Sequence, residues 1–422
     1  MTLLSVVQFI LNLGPTVMLP IVITIIGIIF GQGFKKAFKS GVTIGVGFVG
    51  INLVLGLLTN NLGPAAQAMV SRFGLHLTII DGGWPSAAAG TWGSPVASII
   101  IPLALAVNLV MIFTNTTKTM DIDIWNYWHF GAAAATIYIL SNGNWIASII
   151  AGILYEVVVL KVADWTTPMV QEFYGLEGIC LPTGSTASFA PIGILLGKAI
   201  GKIPGIKDLH ADPETIQKRL GVFGEPMMMG LILGIILGVL AGYDVGKVLQ
   251  IGMAMGGVML LLPRMVKILM EGLIPVSESV REFLQKKASN KELNIGLDAA
   301  LAVGHPAVMS TALILVPITI ALAVILPGNR MLPFGDLATI PFCVAFIVGS
   351  TKGNIIHSVI VGTILIAGSL YMATDFAPIF TTMLKQAHFS FASGVTQMSN
   401  IDTGGNLFNW IVYKIGQLLV QL

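Results

Sequence analysis

Residues 82–95 read GGWPSAAAGTWGSP, and residues 296–306 read GLDAALAVGHP. Each is a Gly, Pro and polar interruption set in apolar sequence. Each reads as a hairpin that enters a membrane and turns back, with its tip near Gly90 to Pro95 or Val303 to Pro306. Backbone at membrane depth leaves the helix only where protein or a water-filled cavity satisfies its N–H and C=O groups, so such interruptions locate a candidate site. Two further stretches have the same character, EGICLPTGSTASFAP at 177–191 and FSFASGVTQMSNIDTGGN at 389–406.

The surroundings of these interruptions are those of a membrane. Of 422 residues, 22 are Lys or Arg and 20 are Asp or Glu, and 55% are hydrophobic. Soluble domains carry roughly 25% charged residues. Here the share is 10%, with a mean hydropathy of +0.88, which excludes a soluble enzyme. Residues 1–34, 40–71, 82–117, 124–155 and 299–329 contain no Asp, Glu, Lys or Arg. With the shorter charge-free runs they predict roughly ten or eleven membrane spans of about 20 residues. Continuous rather than alternating apolar runs exclude a β-barrel. A net charge of +2, with no basic run interleaved with aromatics, gives no reason to expect nucleic acid. Cys180 and Cys343 have no CxxC or His-rich company, so neither a disulfide framework nor a metal site is expected, and no cofactor is called for. The first apolar run is too long for a cleaved signal, and Lys35, Lys36 and Lys39 follow it, which places the N-terminus outside.

The chain matches itself at a spacing near 210 residues. Pro168 pairs with Pro378, Gly143-Asn144 with Gly353-Asn354, Gly184 with Gly394, Thr186 with Thr396, and Ser94-Pro95 with His305-Pro306. Asp123 and Asp336 open equivalent spans. The charge bias of the first two connections in each half reverses from one half to the other, which predicts two repeats of opposite orientation. They cover 1–205 and 223–414, with a cytoplasmic linker at 206–222. Transporters use such inverted repeats and place their substrate where broken helices meet. Gly230, Gly234, Gly238 and Gly242 form a small-residue stripe that reads as helix packing.

A carboxylate at the bilayer centre costs on the order of 2.5–3.5 kcal/mol, so intramembrane ionisable residues are candidates for function. Asp298 in the second hairpin, His129 in WNYWHFG, Glu177 at the start of the third broken segment and His305 at a hairpin tip are the ones singled out. A structural group or turn cap is the plain alternative for each. Glu156, Lys161 and Asp164 flank a span end and read as paired or snorkelling at the interface.

GQGFKKAFKSGVTIGVGFVGINLV (31–54), DGGWPSAAAGTWGSP (81–95), DIWNYWHFGA (123–132), GLEGICLPTGSTASFAP (175–191) and LDAALAVGHPAVM (297–309) give the chain its resemblance. Over nearly its whole length it resembles the galactitol-type IIC membrane component of the phosphoenolpyruvate-dependent phosphotransferase system, within the ascorbate-galactitol superfamily. The resemblance implies an all-α, multi-pass protein of the bacterial cell membrane with about eleven spans. It implies a homodimer whose scaffold helices (about 1–60 and 223–292) hold a mobile core (about 82–200 and 293–414) that moves as an elevator and contains two re-entrant hairpins. Substrate would be phosphorylated by a separate cytoplasmic IIB protein through its phosphocysteine, which IIA recharges. Neither cysteine of this chain sits in the soluble loop such a phosphocysteine needs. Residue by residue, the ascorbate relatives carry a substrate-binding glutamine where this chain has His129, and a His-Gln pair where it has Ser185 and Thr186. They carry an Asp in the second hairpin where it has Asp298, and small hydroxyl residues in the first hairpin, which map to Ser86. Those replacements imply a different substrate.

The broken segments offer hydroxyls, amides and imidazoles but no Arg or Lys fork, which predicts an uncharged polyol as ligand. The leading reading is thus a hexitol translocator with Asp298 as the base for phosphoryl transfer and His129, Glu177, Ser185, Thr186, Ser86 and His305 as substrate contacts. A cation-coupled carrier of a neutral polyol, with Asp298 and Glu177 holding the ion, is the alternative.

Overall fold

The computed structural model describes residues 15–74, 77–211, 213, 225–287, 293–333, 335–387 and 395–421. The chain folds mostly as helices. The first half comprises α1 (Pro15–Ile29), α2 (Phe34–Arg72), β1 (Ile79–Asp81), α3 (Gly83–Trp92), α4 (Ala97–Phe113), β2 (Thr119–Asp121), a 3-10 turn at Ile124–Tyr127, α5 (Trp128–Leu140), α6 (Trp145–Tyr174), β3 (Ile179–Cys180), α7 (Gly184–Ala187) and α8 (Ala190–Ile200). The second half repeats the order: α9 (Pro226–Leu240), α10 (Val245–Lys287), β4 (Asn294–Gly296), α11 (Ala300–Val303), α12 (Pro306–Ile325), β5 (Met331–Leu332), a 3-10 turn at Leu337–Thr339, α13 (Ile340–Ser350), α14 (Ile355–Gln386), β6 (Gln397–Ser399) and α15 (Leu407–Gln421). Among the described residues α6, α12 and α14 are long and apolar enough to cross a bilayer, and several shorter apolar helices accompany them.

Matching local chemistry sets matching boundaries in the two halves. Gly143 (φ +93°) and Gly353 (φ +80°) adopt the left-handed backbone that favours glycine. Each is followed by an N-capping asparagine: Asn144 Oδ1 accepts from the N–H of Ala147, and Asn354 Oδ1 from those of Ile356 and His357. One match from the sequence fails. Thr186 lies after β3, whereas Thr396 lies before β6, because the segment between α14 and β6 is longer than that between α6 and β3. Gly394, matched there to Gly184, lies outside the described residues.

The short strands tie the halves together. β1 lies between β5 and β6, parallel to both, with Ile79 opposite Met331 and Gln397. β4 lies between β2 and β3, also parallel, with Gly296 opposite Asp121 and Cys180. The leading strand of each half is thus clasped between two strands of the other.

Helices α1, α2, α9 and α10 pack chiefly on one another, and the remaining elements gather around α5, α6, α13 and α14. A Cβ on Gly234 would lie 2.6 Å from the Ile251 carbonyl oxygen, and one on Gly230 2.7 Å from that of Met255, so α9 and α10 meet backbone to backbone. Gly242 departs from that stripe: it turns the chain at φ +77°, beside the Arg72 guanidinium, which donates to the Val239 and Leu240 carbonyls at the end of α9.

Candidate functional site

The tips of β1 and β4 each carry a carboxylate that closes a tight turn. Asp81 Oδ1 accepts from the N–H of Gly83 (2.8 Å), and Asp298 Oδ1 accepts from the N–H of Ala300 (2.9 Å). An aspartate that opens a 3-10 turn in the other half stands beside each: Asp336 donates its N–H to Asp81, whereas Asp123 is joined to the residue after Asp298 only through the Thr183 hydroxyl. The two arrangements differ in how fully they are satisfied.

Asp336 is completely buried and makes a closed node. Its Oδ1 accepts from the Trp84 N–H (2.8 Å) and the Thr339 hydroxyl (2.9 Å), and its Oδ2 from the N–H groups of Ile401 (2.6 Å) and Asp402 (2.9 Å). Its own N–H donates to Asp81 Oδ2 (2.7 Å). Four donors on one carboxylate offset most of the cost of removing it from water.

The other arrangement is open. Asp123 Oδ2 accepts from the Asn126 amide (2.7 Å) and the Thr183 hydroxyl (3.1 Å), and Thr183 in turn accepts from the Ala299 N–H (2.8 Å). Asp298 itself is only half-buried. His129, 1% exposed in the first turn of α5, donates from Nδ1 to the Asn126 carbonyl (2.9 Å) and turns Nε2 toward Asp402 Oδ1 (3.3 Å). The Trp128 ring stacks on the His129 ring at 3.7 Å between centroids. Gly184 allows this packing, since a Cβ there would come within 2.6 Å of the imidazole. Its carbonyl accepts from the Asn406 amide (3.2 Å), and Tyr155 donates to Asn406 Oδ1 (3.3 Å).

Three buried polar atoms beside this junction have no hydrogen-bond partner among the described residues: Trp128 Nε1, Thr186 Oγ1 and Thr403 Oγ1. Each belongs to a residue within two positions of His129, Gly184 or Asp402. Buried polar groups are nearly always paired, and these three, among other such atoms elsewhere in the chain, are donors and acceptors left open next to the junction residues. The junction as a whole supplies carboxylates, amides, an imidazole and hydroxyls, and among the described residues no Arg or Lys belongs to it.

The residues expected from sequence divide accordingly. His129 and Asp298 stand at the open junction, and Thr186 and the buried Ser185 lie in the short helix beginning at Gly184. Ser86 is buried in α3 on the closed side, where its hydroxyl donates to the Gly83 carbonyl (2.8 Å). Glu177 is exposed on the connection before β3 and is not brought to the junction. His305 caps α12 by accepting from the Ala307 N–H (3.2 Å) and packs on Phe173 and Tyr174. Lys161 and Asp164 are paired at 3.5 Å. Glu156, expected at an interface, is instead 2% exposed, with Oε1 unpartnered and Asp121 close by. Both cysteines are buried. Sequence reading missed Asp402, Asn126 and Thr183: Asp402 stands 273 positions from His129, and nothing local marks their meeting.

Comparison with known proteins shows the family of the chain. A family model described as the PTS system sugar-specific permease component, EIIC-GAT, matches residues 9–394. The galactitol-specific EIIC component of the PTS system from Escherichia coli strain K12 is 42% identical over 411 residues, covering 97% of this chain and 90% of that protein. The corresponding component from Escherichia coli O157:H7 matches equally, at 42% over the same shares. Such agreement along nearly the full length, on a chain of apolar helices, makes this a multi-pass protein of the bacterial inner membrane that belongs to the EIIC-GAT family of PTS sugar-specific permease components.

Proposed function

We propose that the protein carries a hexitol of the galactitol kind across the membrane and presents it for phosphorylation by a separate IIB subunit. The observation that carries this reading is the open junction, where His129, Asp298 and Asp402 from both halves meet beside unpartnered hydroxyl and indole groups. A polyol offers a run of hydroxyls, each both donor and acceptor, and suits such a lining. An anion would find carboxylates and no guanidinium or ammonium there. The galactitol in the names of the two relatives agrees with this chemistry.

In the proposed reaction the IIB phosphocysteine loses its phosphoryl group to a terminal hydroxyl: the P–S bond breaks and a P–O bond forms. Asp298 accepts the hydroxyl proton as the bond forms. His129, Thr186 and Ser185 hold the sugar. Ser86 lies within the first hairpin with its hydroxyl spent on the Gly83 carbonyl, and His305 and Glu177 act away from the ligand, His305 as a helix cap.

Transport is read as an elevator movement in a homodimer of about eleven-span protomers. The recurring element order, and the exchange of leading strands between the halves, support two inverted repeats covering 1–205 and 223–414. The mutual packing of α1, α2, α9 and α10 supports their role as a scaffold, with both re-entrant hairpins in the moving core. The linker at 206–222 is described only for residues 206–211 and 213.

A binding screen of the purified protein against hexitols and pentitols tests the reading. Galactitol or a close stereoisomer should bind, and His129→Ala should weaken it at least about tenfold. Binding of charged sugars in preference to every polyol would refute it.

A further inference from the structure

On the outer side of α8, α14 and α15 lies a cavity of about 600 Å³, walled by Ile192, Ile364, Leu365, Gly368, Met372 and Leu407. One end is different in kind. There Lys414 Nζ meets Asp375 Oδ2 at 2.6 Å, both side chains a little over one-third exposed, and the Trp410 indole N–H donates to the same oxygen at 2.8 Å. Tyr371, 43% exposed, donates to the Pro327 carbonyl on the same rim.

The height of this ion pair can be read from α14. Between Ile355 and Asp375 the helix rises about 30 Å, the thickness of the hydrocarbon core of a bilayer. The turn before Ile355 carries an exposed Lys352, which belongs at one membrane face. With Lys352 taken as one membrane face, Asp375, Lys414 and the amphipathic rings of Tyr371 and Trp410 fall at headgroup level on the other, where such rings concentrate. The apolar groove descends from them toward the bilayer interior.

We propose that this groove is a phospholipid site that takes one acyl chain and selects a zwitterionic headgroup with a primary amine. The selectivity follows from the charges. Asp375 Oδ1 accepts no hydrogen bond among the described residues, and Lys414 spends its N–H groups on Asp375 and, at 3.3 Å, on Gln417, with one remaining. A lipid phosphate takes the remaining Lys414 hydrogen, and the lipid ammonium donates to Asp375 Oδ1. A quaternary ammonium has no hydrogen to donate, and an anionic glycerol headgroup donates only from neutral hydroxyls and brings no positive charge to offset the carboxylate.

Gly368 provides a clean test, because a Cβ there would meet nothing within 4 Å. Gly368→Leu therefore fills the groove without a clash and favours the helix. Delipidated protein would be offered an equimolar mixture of phosphatidylethanolamine, phosphatidylcholine and phosphatidylglycerol and weighed by native mass spectrometry. Phosphatidylethanolamine should be retained over the other two. Gly368→Leu and Lys414→Gln, on separate helices, should each lower that retention about tenfold. Equal retention of the three lipids, or undiminished retention in the folded variants, would overturn the proposal. So would a Gly368→Leu protein that loses its partner copy while keeping its lipid, since the groove would then be an interface between chains.

Discussion

Asp336 and Asp298 are both aspartates at broken backbone, yet one is surrounded by donors and the other is left largely open. Every oxygen lone-pair direction of Asp336 that matters is filled by a donor from one of three separate segments. Asp336→Asn puts an N–H₂ group against at least one of those N–H donors, whichever way the amide turns. Leaving such buried groups unpaired costs roughly 1–3 kcal/mol each. The expected outcome is a clearly lowered melting temperature in detergent, and an unchanged one would remove Asp336 from its structural role. Asp298 has one oxygen held by the Ala300 N–H and remains half-buried. Asp298→Asn should fold, bind polyol within about tenfold of the parent, and fail to form sugar phosphate when IIA, IIB and phosphoenolpyruvate are supplied. Near-normal phosphorylation by that variant would make Asp298 structural. His129 and Asp298 were legible in the sequence because ionisable groups in apolar runs are conspicuous. Glu177 was conspicuous for the same reason and proved exposed, since adjacency to a broken segment does not say on which side of the backbone a side chain emerges.

Among the elements, the glycine stripe of α9 makes the sharpest demand. At Gly234 a side chain would need to displace the backbone of α10, not a flexible neighbour. Gly234→Val should therefore separate the two helices and lower stability by roughly 1–3 kcal/mol, as overpacking does elsewhere. Gly31 supplies a contrast: a Cβ there would meet no atom within 4 Å, but φ is +89°. Gly31→Ala should cost only about 1–2 kcal/mol of backbone strain and leave helix packing intact. Thermal unfolding followed by circular dichroism separates the cases. A Gly234→Val protein as stable as the parent would contradict the close approach. The breaks between α3 and α4 and between α11 and α12 were legible from their Gly and Pro content, and the small-residue stripe from its four-residue period. The three-residue strands were not, because two or three β-bonded residues leave no periodicity to detect. Their pairing across the halves is set by the meeting of the hairpin bases, which no local pattern encodes.

Over the whole molecule, the order of elements repeats and the leading strands change places, which local sequence matches at a spacing of 210 only partly foretold. The Thr186–Thr396 match was a product of shared composition, while Gly143-Asn144 and Gly353-Asn354 reflected a shared turn and cap. If the halves lie in opposite orientations, a single cysteine at Lys36 should be shielded from an impermeant external reagent in intact cells and one at Asp244 should react. Labelling at Lys36 from outside would reverse the orientation. In nanodiscs the protein should weigh as two copies of the chain, and a monomer would count against the scaffold reading. Group translocation requires that the polyol be handed to a phosphorylating partner and not simply released. It is tested most directly with radiolabelled galactitol and sealed vesicles containing the purified protein. Label should accumulate only as sugar phosphate and only when IIB, IIA and a phosphoenolpyruvate-driven phosphoryl supply are present on the cytoplasmic side. Accumulation of unmodified galactitol on a proton or sodium gradient alone would contradict it.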